Sequence, residues 1–253
     1  MVYYIAAVLV SIALYTTGLL CMKYLVKYRK ISDIDFPSLI FILYFIEIVL
    51  LLVDVGFKDW SYLTLLPLGN VGPFMFFTLP FYFLLPKKAR KFALTIVALL
   101  SPAMLVYGIM RGVALVVAGT KAYASYVLDI LCHVVFAVYG IYLVRSEQVD
   151  LDVKRSLISG GILLGVSVLM LILNAIFKTS FFGLSVYGNH NLSNIIFLKS
   201  AVLSIFVYFI ALAALMTVGY FFQKYLAVAS KALFGDAKNV SPEAEDPDEG
   251  EQG

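Results

Sequence analysis

Seven long apolar runs decide what this chain can fold into. A helix needs about 20 mainly apolar residues to cross the hydrocarbon core of a bilayer. Hydrophobic residues make up 62% of the chain and charged residues 14%, whereas soluble domains average about 45–50% apolar and about 25% charged residues. The sequence therefore predicts an all-α polytopic membrane protein with seven transmembrane helices, near residues 4–22, 36–57, 61–86, 92–119, 122–144, 156–177 and 195–222.

The distribution of basic residues between the loops predicts the orientation. Basic loop residues concentrate on the cytoplasmic side of membrane proteins. In a seven-span arrangement only Lys58, Lys121 and Lys178 lie in the loops of one side. The other side carries fourteen basic residues: Lys23, Lys27, Arg29, Lys30, Lys87, Lys88, Arg90, Lys91, Arg145, Lys154, Arg155, Lys224, Lys231 and Lys238. We therefore expect the N-terminus outside and the C-terminus in the cytoplasm.

The composition changes completely near the end of the chain. From about Asp236 the sequence is rich in Asp, Glu and Pro and has almost no large apolar residue, which is typical of a disordered segment. We therefore divide the chain into a transmembrane domain, residues 1–225, and a disordered acidic cytoplasmic tail, residues 226–253. No pattern typical of nucleic-acid binding is present, and membrane lipids are the partners that we expect.

Ionisable residues interrupt three of the apolar runs. Glu47 lies in the second run, Arg111 in the fourth, and Asp129 with His133 in the fifth. An unpaired Asp or Arg at a helix centre costs roughly 3 kcal/mol, so these groups are expected to face one another or a wet cavity. At about 1.5 Å per residue, each lies roughly 10 to 16 Å from the outer end of its helix. The sequence thus predicts a polar intramembrane vestibule that opens outward.

The fifth run contains a candidate acid–base pair. Tyr126, Asp129 and His133 follow i, i+3, i+7 spacing and therefore share one face of a helix. Helical side chains lean toward the N-terminus, so His133 can reach back to the Asp129 carboxylate. We predict that His133 and Asp129 are catalytic. The structural alternative is a polar contact that only joins helices.

Several further residues are predicted to line the same vestibule. Arg111 and Lys199 are the cations available at this depth, and either could pair with a carboxylate or hold an anionic headgroup. Proline and glycine residues break the third run near Asn70, and broken backbone at membrane depth is tolerated only inside protein or beside a cavity. The predicted binding residues are Glu47, Asn70, Arg111, Tyr126, Asn174 and Lys199.

Other residues point to packing and not to chemistry. The spacing of metal ligands is absent from the sequence around Cys21, Cys132 and the two histidines. We therefore expect no metal and no cofactor, and we treat both cysteines as small apolar residues. Gly161-x-x-x-Gly165 in the sixth run predicts close packing against another helix.

Three short motifs resemble a known family. They are Leu66-Pro67-Leu68, Asp129-x-x-x-His133, and Asn174 followed by Lys178-Thr179-Ser180-Phe181-Phe182. The chain resembles, over about residues 40 to 222, the YwaF-type bacterial seven-helix membrane proteins. That family is similar to a eukaryotic transmembrane acyltransferase that acts on phospholipids and, more distantly, to androgen-induced lipid hydrolases. The resemblance implies a bacterial cell membrane and a lipid or acyl ligand.

One departure from the family pattern concerns the nucleophile. The family reads Leu-Pro-Leu-His-x-Cys, whereas this chain has Gly69 and Val71 in place of the His and the Cys. Only His133 of a Cys–His pair remains, so the resemblance implies lipid binding more than acyl transfer unless a hydroxyl such as that of Thr64 substitutes. Two other hypotheses stay open: a transporter or channel for an ion or small anion, and a receptor or light sensor that uses Lys199.

Overall fold

The computed structural model describes residues 2–28, 35–55, 67–118, 124–146, 148–179, 181–184 and 201–234, and these residues form helices and turns without a strand. The helices are α1 (Val2–Tyr28), α2 (Asp35–Val55), α3 (Val71–Thr78), α4 (Lys87–Ala118), α5 (Ala124–Arg145), α6 (Val153–Phe177) and α7 (Ala201–Phe234). A 3₁₀ segment, Leu79–Leu84, follows α3, and another, Phe181–Gly183, follows α6. The predicted all-α class is confirmed.

Five of the helices are long and apolar enough to cross a membrane, as expected of a polytopic membrane protein: α2, α4, α5, α6 and α7. The described apolar stretches of the first and third runs are shorter, Ile5–Gly18 and Val71–Leu84. Large apolar side chains point outward on the peripheral helices, for example Phe206 and Ile210 of α7. Such a surface is stable in lipid, because the acyl chains that it contacts are as apolar as the side chains themselves. Helices α4 and α5 are the most enclosed and form the centre of the bundle.

The third apolar run is broken where its prolines and glycines predict. Residues 67–70 form a turn, and α3 begins only at Val71, with Pro73 in its first turn where no N–H is needed. The helix tightens into the 3₁₀ segment at Leu79, and Pro80 is its next residue. The expected break near Asn70 is confirmed.

Three boundaries differ from the sequence predictions. Helix α1 continues to Tyr28, past the expected end at 22, and α4 begins at Lys87, before the expected start at 92. Helix α7 continues to Phe234, past the expected end at 222. The domain boundary that we placed at 226 therefore falls inside a helix and is wrong for residues 226–234. Lysines end an apolar run but do not end a helix, and the alanines of this stretch favour helix. Residues 235–253 of the predicted tail lie outside the described residues.

A buried polar network supplies the hydrogen bond that a proline removes from the middle of α4. Pro102 has no N–H, so the carbonyl of Ala98 lacks its usual helical partner. The side-chain amide of Gln223 on α7 donates to this carbonyl, and the Ser101 hydroxyl donates to it at 2.7 Å. The Tyr15 hydroxyl on α1 donates in turn to the Ser101 oxygen at 2.6 Å. The network joins α1, α4 and α7 around the one backbone group that the proline leaves unpaired.

Glycines allow close helix approach at α4 but not on α6. A Cβ at Gly219 of α7 would overlap the carbonyl oxygen of Leu99, and one at Gly140 of α5 would overlap the Ser101 side chain. In contrast, a Cβ at Gly161 or Gly165 of α6 would meet nothing within 4 Å. The predicted packing role of Gly161 and Gly165 is therefore wrong within the described part of this chain.

Candidate functional site

The charged residues of the fourth and fifth apolar runs meet where α4 packs against α5. Arg111 Nε lies 2.6 Å from Asp129 Oδ2, and the two side chains are 26% and 3% exposed. Neither atom has an aligned hydrogen bond within the described residues, so the contact is an ion pair and not a linear hydrogen bond. The pairing neutralises a carboxylate that would be costly to bury alone.

Asp129 also holds the imidazole of His133. The ring Nδ1 lies 2.7 Å from the backbone oxygen of Asp129 and 3.3 Å from its Oδ1. Both neighbours accept hydrogen bonds, so we assign the proton of the neutral ring to Nδ1 from its partners. His133 thus reaches back over one helical turn, as its spacing from Asp129 predicts. The other nitrogen, Nε2, carries the lone pair and is the atom that could act as a base.

Two glycines and two aromatic rings enclose the His133 ring. A Cβ at Gly108 of α4 would lie 2.9 Å from the His133 Cβ, and one at Gly72 of α3 would lie 3.1 Å from Nε2. The Phe76 ring stands edge-on to the imidazole at 4.9 Å, and the Tyr107 ring is tilted against it at 4.8 Å. The break in the third run therefore has a geometric role, because it brings the glycine-bearing start of α3 against His133.

Two tyrosines contact the guanidinium of Arg111. Its Nη1 donates to the Tyr107 hydroxyl at 3.0 Å, and its guanidinium carbon lies 5.3 Å from the centre of the Tyr126 ring. Such cation–π contacts stabilise a cation most when water is scarce. Tyr107 is itself 46% exposed on the outside of the bundle. The charged network thus runs from the buried imidazole to a partly exposed guanidinium.

Glu47 adds a second carboxyl group to this region from α2. It is 1% exposed, and its Oε2 has no hydrogen-bond partner among the described residues. The Cys132 thiol hydrogen-bonds to the same side chain, and Glu47 lies within electrostatic range of Asp129 and Arg111. The Tyr44 hydroxyl interacts electrostatically with both carboxylates. Two carboxyl groups, one guanidinium and one imidazole are therefore concentrated in one place.

The structure gives Asn174 another role. Its side-chain amide donates to the carbonyls of Phe181, at 2.9 Å, and Leu184, while its oxygen accepts from Thr179 Oγ1 at 2.8 Å and from the Phe181 N–H at 2.6 Å. An Asn side chain offers two donors and two acceptor positions, so this turn uses all four. The Phe182 N–H in turn donates to the Leu68 carbonyl at 2.9 Å. Asn174 thus braces the broken segment before α3 instead of presenting its amide to a ligand.

The remaining predicted residues lie at the edge of the site or beyond the described residues. Asn70 precedes α3 with an extended backbone and does not cap that helix with its side chain; it stands two residues before Gly72. Lys199 and Thr64 lie outside the described residues. Sequence reasoning missed Cys132, Tyr107 and the two glycines beside His133. Only Tyr107 had a usable signal, because it lies one helical turn before Arg111.

No protein-family model matches the chain, and neither does a curated protein or a solved structure. The resemblance to the YwaF-type proteins therefore stays a prediction. The guanidinium of the site can hold an anion, its imidazole can exchange a proton, and its second carboxyl group can carry a proton or face a cation.

Proposed function

We propose that this protein is an integral protein of a bacterial cell membrane that binds a lipid or acyl ligand through the anionic group of that ligand at Arg111. One observation carries the proposal: the charged network is buried at Asp129 and His133 but partly exposed at Arg111, beside the exposed ring of Tyr107. A lipid could therefore reach the guanidinium from the surrounding bilayer. The predicted outward-facing vestibule is part of the same proposal.

The chemistry of Arg111 suits a phosphate or carboxylate. Its planar fork matches both anions and can bind them through two parallel hydrogen bonds. Its hydrogen bond to Tyr107 uses one of the five N–H groups, and the ion pair with Asp129 holds the guanidinium without an aligned hydrogen bond. The flanking rings of Tyr107 and Tyr126 offer apolar faces for the glycerol or the first methylenes of a ligand. Arg111 is thus both held in place and able to bind.

His133 and Asp129 form the acid–base pair available for remodelling such a ligand. Asp129 fixes the ring orientation through Nδ1, which leaves Nε2 facing the start of α3. In that first turn, next to Gly72, stands Val71 at the position where the YwaF-type pattern has cysteine. A valine cannot attack an acyl group. We therefore propose ligand binding as the function, without a covalent acyl-enzyme.

Purified Arg111→Gln protein should retain less lipid or fatty acid than the unmodified protein, because glutamine stays polar but is shorter and loses the charge and the fork. We expect the ligand of this site to bind about ten-fold more weakly, as for the loss of one charge-assisted contact. Mass spectrometry of the solvent extract measures it. Arg155→Gln is the matched control, since Arg155 lies outside this site and donates to the Asp150 carbonyl. Equal retention by both variants would contradict the proposal.

A second candidate function, transport or conduction of an ion or small anion, is favoured by Glu47. Its Oε2 has no hydrogen-bond partner in the described part of the chain, and the residue is 1% exposed, which resembles the intramembrane carboxylates of proton and cation pathways. The same preparation separates the two functions. An inorganic ion that co-purifies in place of a lipid, and is lost on Glu47→Gln, would support transport.

We propose seven spans with the N-terminus outside, on the strength of the basic residues in the loops. Single cysteines introduced at positions 27, 88 and 150 should then be protected from an impermeant thiol reagent in intact cells. Cysteines at positions 60, 121 and 188 should react. The unmodified protein is the control for its own two cysteines, and external labelling at 88 or 150 would refute this topology.

A further inference from the structure

A second candidate site, which does not include the residues around Arg111 and His133, is a groove between α6 and α7. The groove has a volume of about 330 Å³ and is lined mainly by apolar side chains. Val153, Leu157 and Gly161 form its α6 wall, Met216 and Tyr220 its α7 wall, and Leu99 of α4 also lines it. Gly161 widens the groove, because a Cβ there would meet nothing within 4 Å.

One polar group in the groove, the Ser156 hydroxyl, has no partner among the residues that the structure describes. Ser156 is 9% exposed, lines the groove, and its hydroxyl makes no hydrogen bond within the described residues. Two other hydroxyls on the same helices do bond to their own backbone: Ser167 of α6 donates to the Leu163 carbonyl at 3.0 Å, and Thr217 of α7 donates to the Ala213 carbonyl at 2.8 Å. A buried hydroxyl without a partner is unfavourable. Ser156 is therefore placed to donate to an acceptor that enters the groove.

The groove ends beside basic residues. Lys224 is exposed, and its Nζ donates to the Tyr220 hydroxyl at 2.8 Å, so the ammonium group is held at the rim. Lys154 follows Val153 in the first turn of α6 and is also exposed. Two carboxylates, Asp150 and Asp152, lie within electrostatic range of Lys224. Asp152 accepts from the Arg155 N–H at 3.2 Å as the N-cap of α6. The three cations Lys154, Arg155 and Lys224 outnumber the two carboxylates at this end, so the rim carries a net positive charge that attracts an anion.

The length of the groove matches one leaflet of a bilayer. From Val153 to Leu164 its α6 wall extends about 16 Å at 1.5 Å per residue, and half of a hydrocarbon core is about 15 Å. The groove therefore suits an occupant that has an anionic end, a hydrogen-bond acceptor one helical turn further in, and an apolar chain as long as one leaflet. A phospholipid has all three features.

We infer that the α6–α7 groove binds one anionic phospholipid. Its phosphate lies at Lys224 and Lys154, an ester carbonyl oxygen accepts the hydrogen bond of Ser156, and one acyl chain runs past Leu157, Gly161 and Met216. This site is separate from the Arg111 site, so either can exist without the other.

Native mass spectrometry of the delipidated protein with added phosphatidylglycerol tests the inference. Gly161→Leu should fill the groove and lower lipid affinity about ten-fold, the effect of excluding about two methylenes. Gly165→Leu is the matched control, because its Cβ also meets nothing within 4 Å but Gly165 does not line the groove. Ser156→Ala should lower the affinity about five-fold through the lost hydrogen bond, and it carries the test if Gly161→Leu does not fold.

The headgroup and the two sites are tested in the same way. Lys224→Gln should remove the preference for phosphatidylglycerol over phosphatidylcholine. Arg111→Gln should leave this lipid bound, which separates failure here from failure of the proposed function. Equal binding by Gly161→Leu and Gly165→Leu, or equal binding of the two lipids by the unmodified protein, would overturn the inference. A dimer that Gly161→Leu converts to a monomer would instead assign the groove to a second copy of the chain.

Discussion

Replacing Gly219 by alanine should lower the free energy of unfolding by about 3 kcal/mol, the upper end of the usual penalty for overpacking. The added methyl group would overlap the carbonyl oxygen of Leu99 and lie 3.1 Å from its carbonyl carbon. These are backbone atoms of α4, so no rotamer change can relieve the contact and α7 would have to move away. That movement would also pull Gln223 from the Ala98 carbonyl, which Pro102 leaves without its helical partner.

The control for this change is Gly165→Ala, which should have the opposite sign. A Cβ at Gly165 meets nothing within 4 Å, and alanine favours a helix over glycine by about 1 kcal/mol. Thermal unfolding of both variants in one detergent measures the difference. A loss of stability at Gly165 equal to that at Gly219 would show that helix packing around Leu99 is not the cause.

The glycines show what a sequence can and cannot predict in such a chain. Spacing alone favours Gly161 and Gly165 as packing residues, yet the close approach occurs at Gly219 and Gly140. Which face of a helix meets another depends on how the whole bundle is arranged, and this information is not local. Apolar run length, in contrast, is local, and the five long apolar helices lie within runs that it predicts. The prolines and glycines near Asn70 are also local, and they predict the break there.

The contacts of the candidate site also differ in whether the sequence can predict them. The contact between Asp129 and His133 lies within one helix, and helical geometry is sufficient to predict it. The partner of Arg111 lies on another helix, so the sequence left several carboxylates open and could not select Asp129. Asn174 was placed among the binding residues because it is polar and in an apolar run. Its four hydrogen bonds depend on a turn whose path the sequence does not reveal.

Replacing Arg111 by methionine should destabilise the protein by about 3 kcal/mol, because it leaves the Asp129 carboxylate buried without its cation. The additional change Asp129→Asn should restore most of this loss and bring the double variant within about 1 kcal/mol of the unmodified protein. Asparagine suits the test because its side-chain oxygen can still accept from His133 Nδ1, so the imidazole keeps its orientation.

Equilibrium unfolding in mixed micelles of the unmodified protein, both single variants and the double variant gives the coupling free energy of the pair directly. We expect it to be at least about 2 kcal/mol, since the double variant regains about that much of the loss and Asp129→Asn alone also removes the partner of Arg111. Such a value is large for an ion pair, because Asp129 is only 3% exposed. Arg155→Met is the control, since that side chain makes its described contact with the carbonyl of Asp150 at 3.3 Å. Replacing a partly exposed arginine that neutralises no buried charge changes stability by about 0.5 kcal/mol or less. Strictly additive effects of the Arg111 and Asp129 changes would mean that the two groups do not stabilise each other. Coupling as large as expected would instead show that the polar residues of two apolar helices are kept together as one unit, which is the physical requirement for any ligand site built on Arg111.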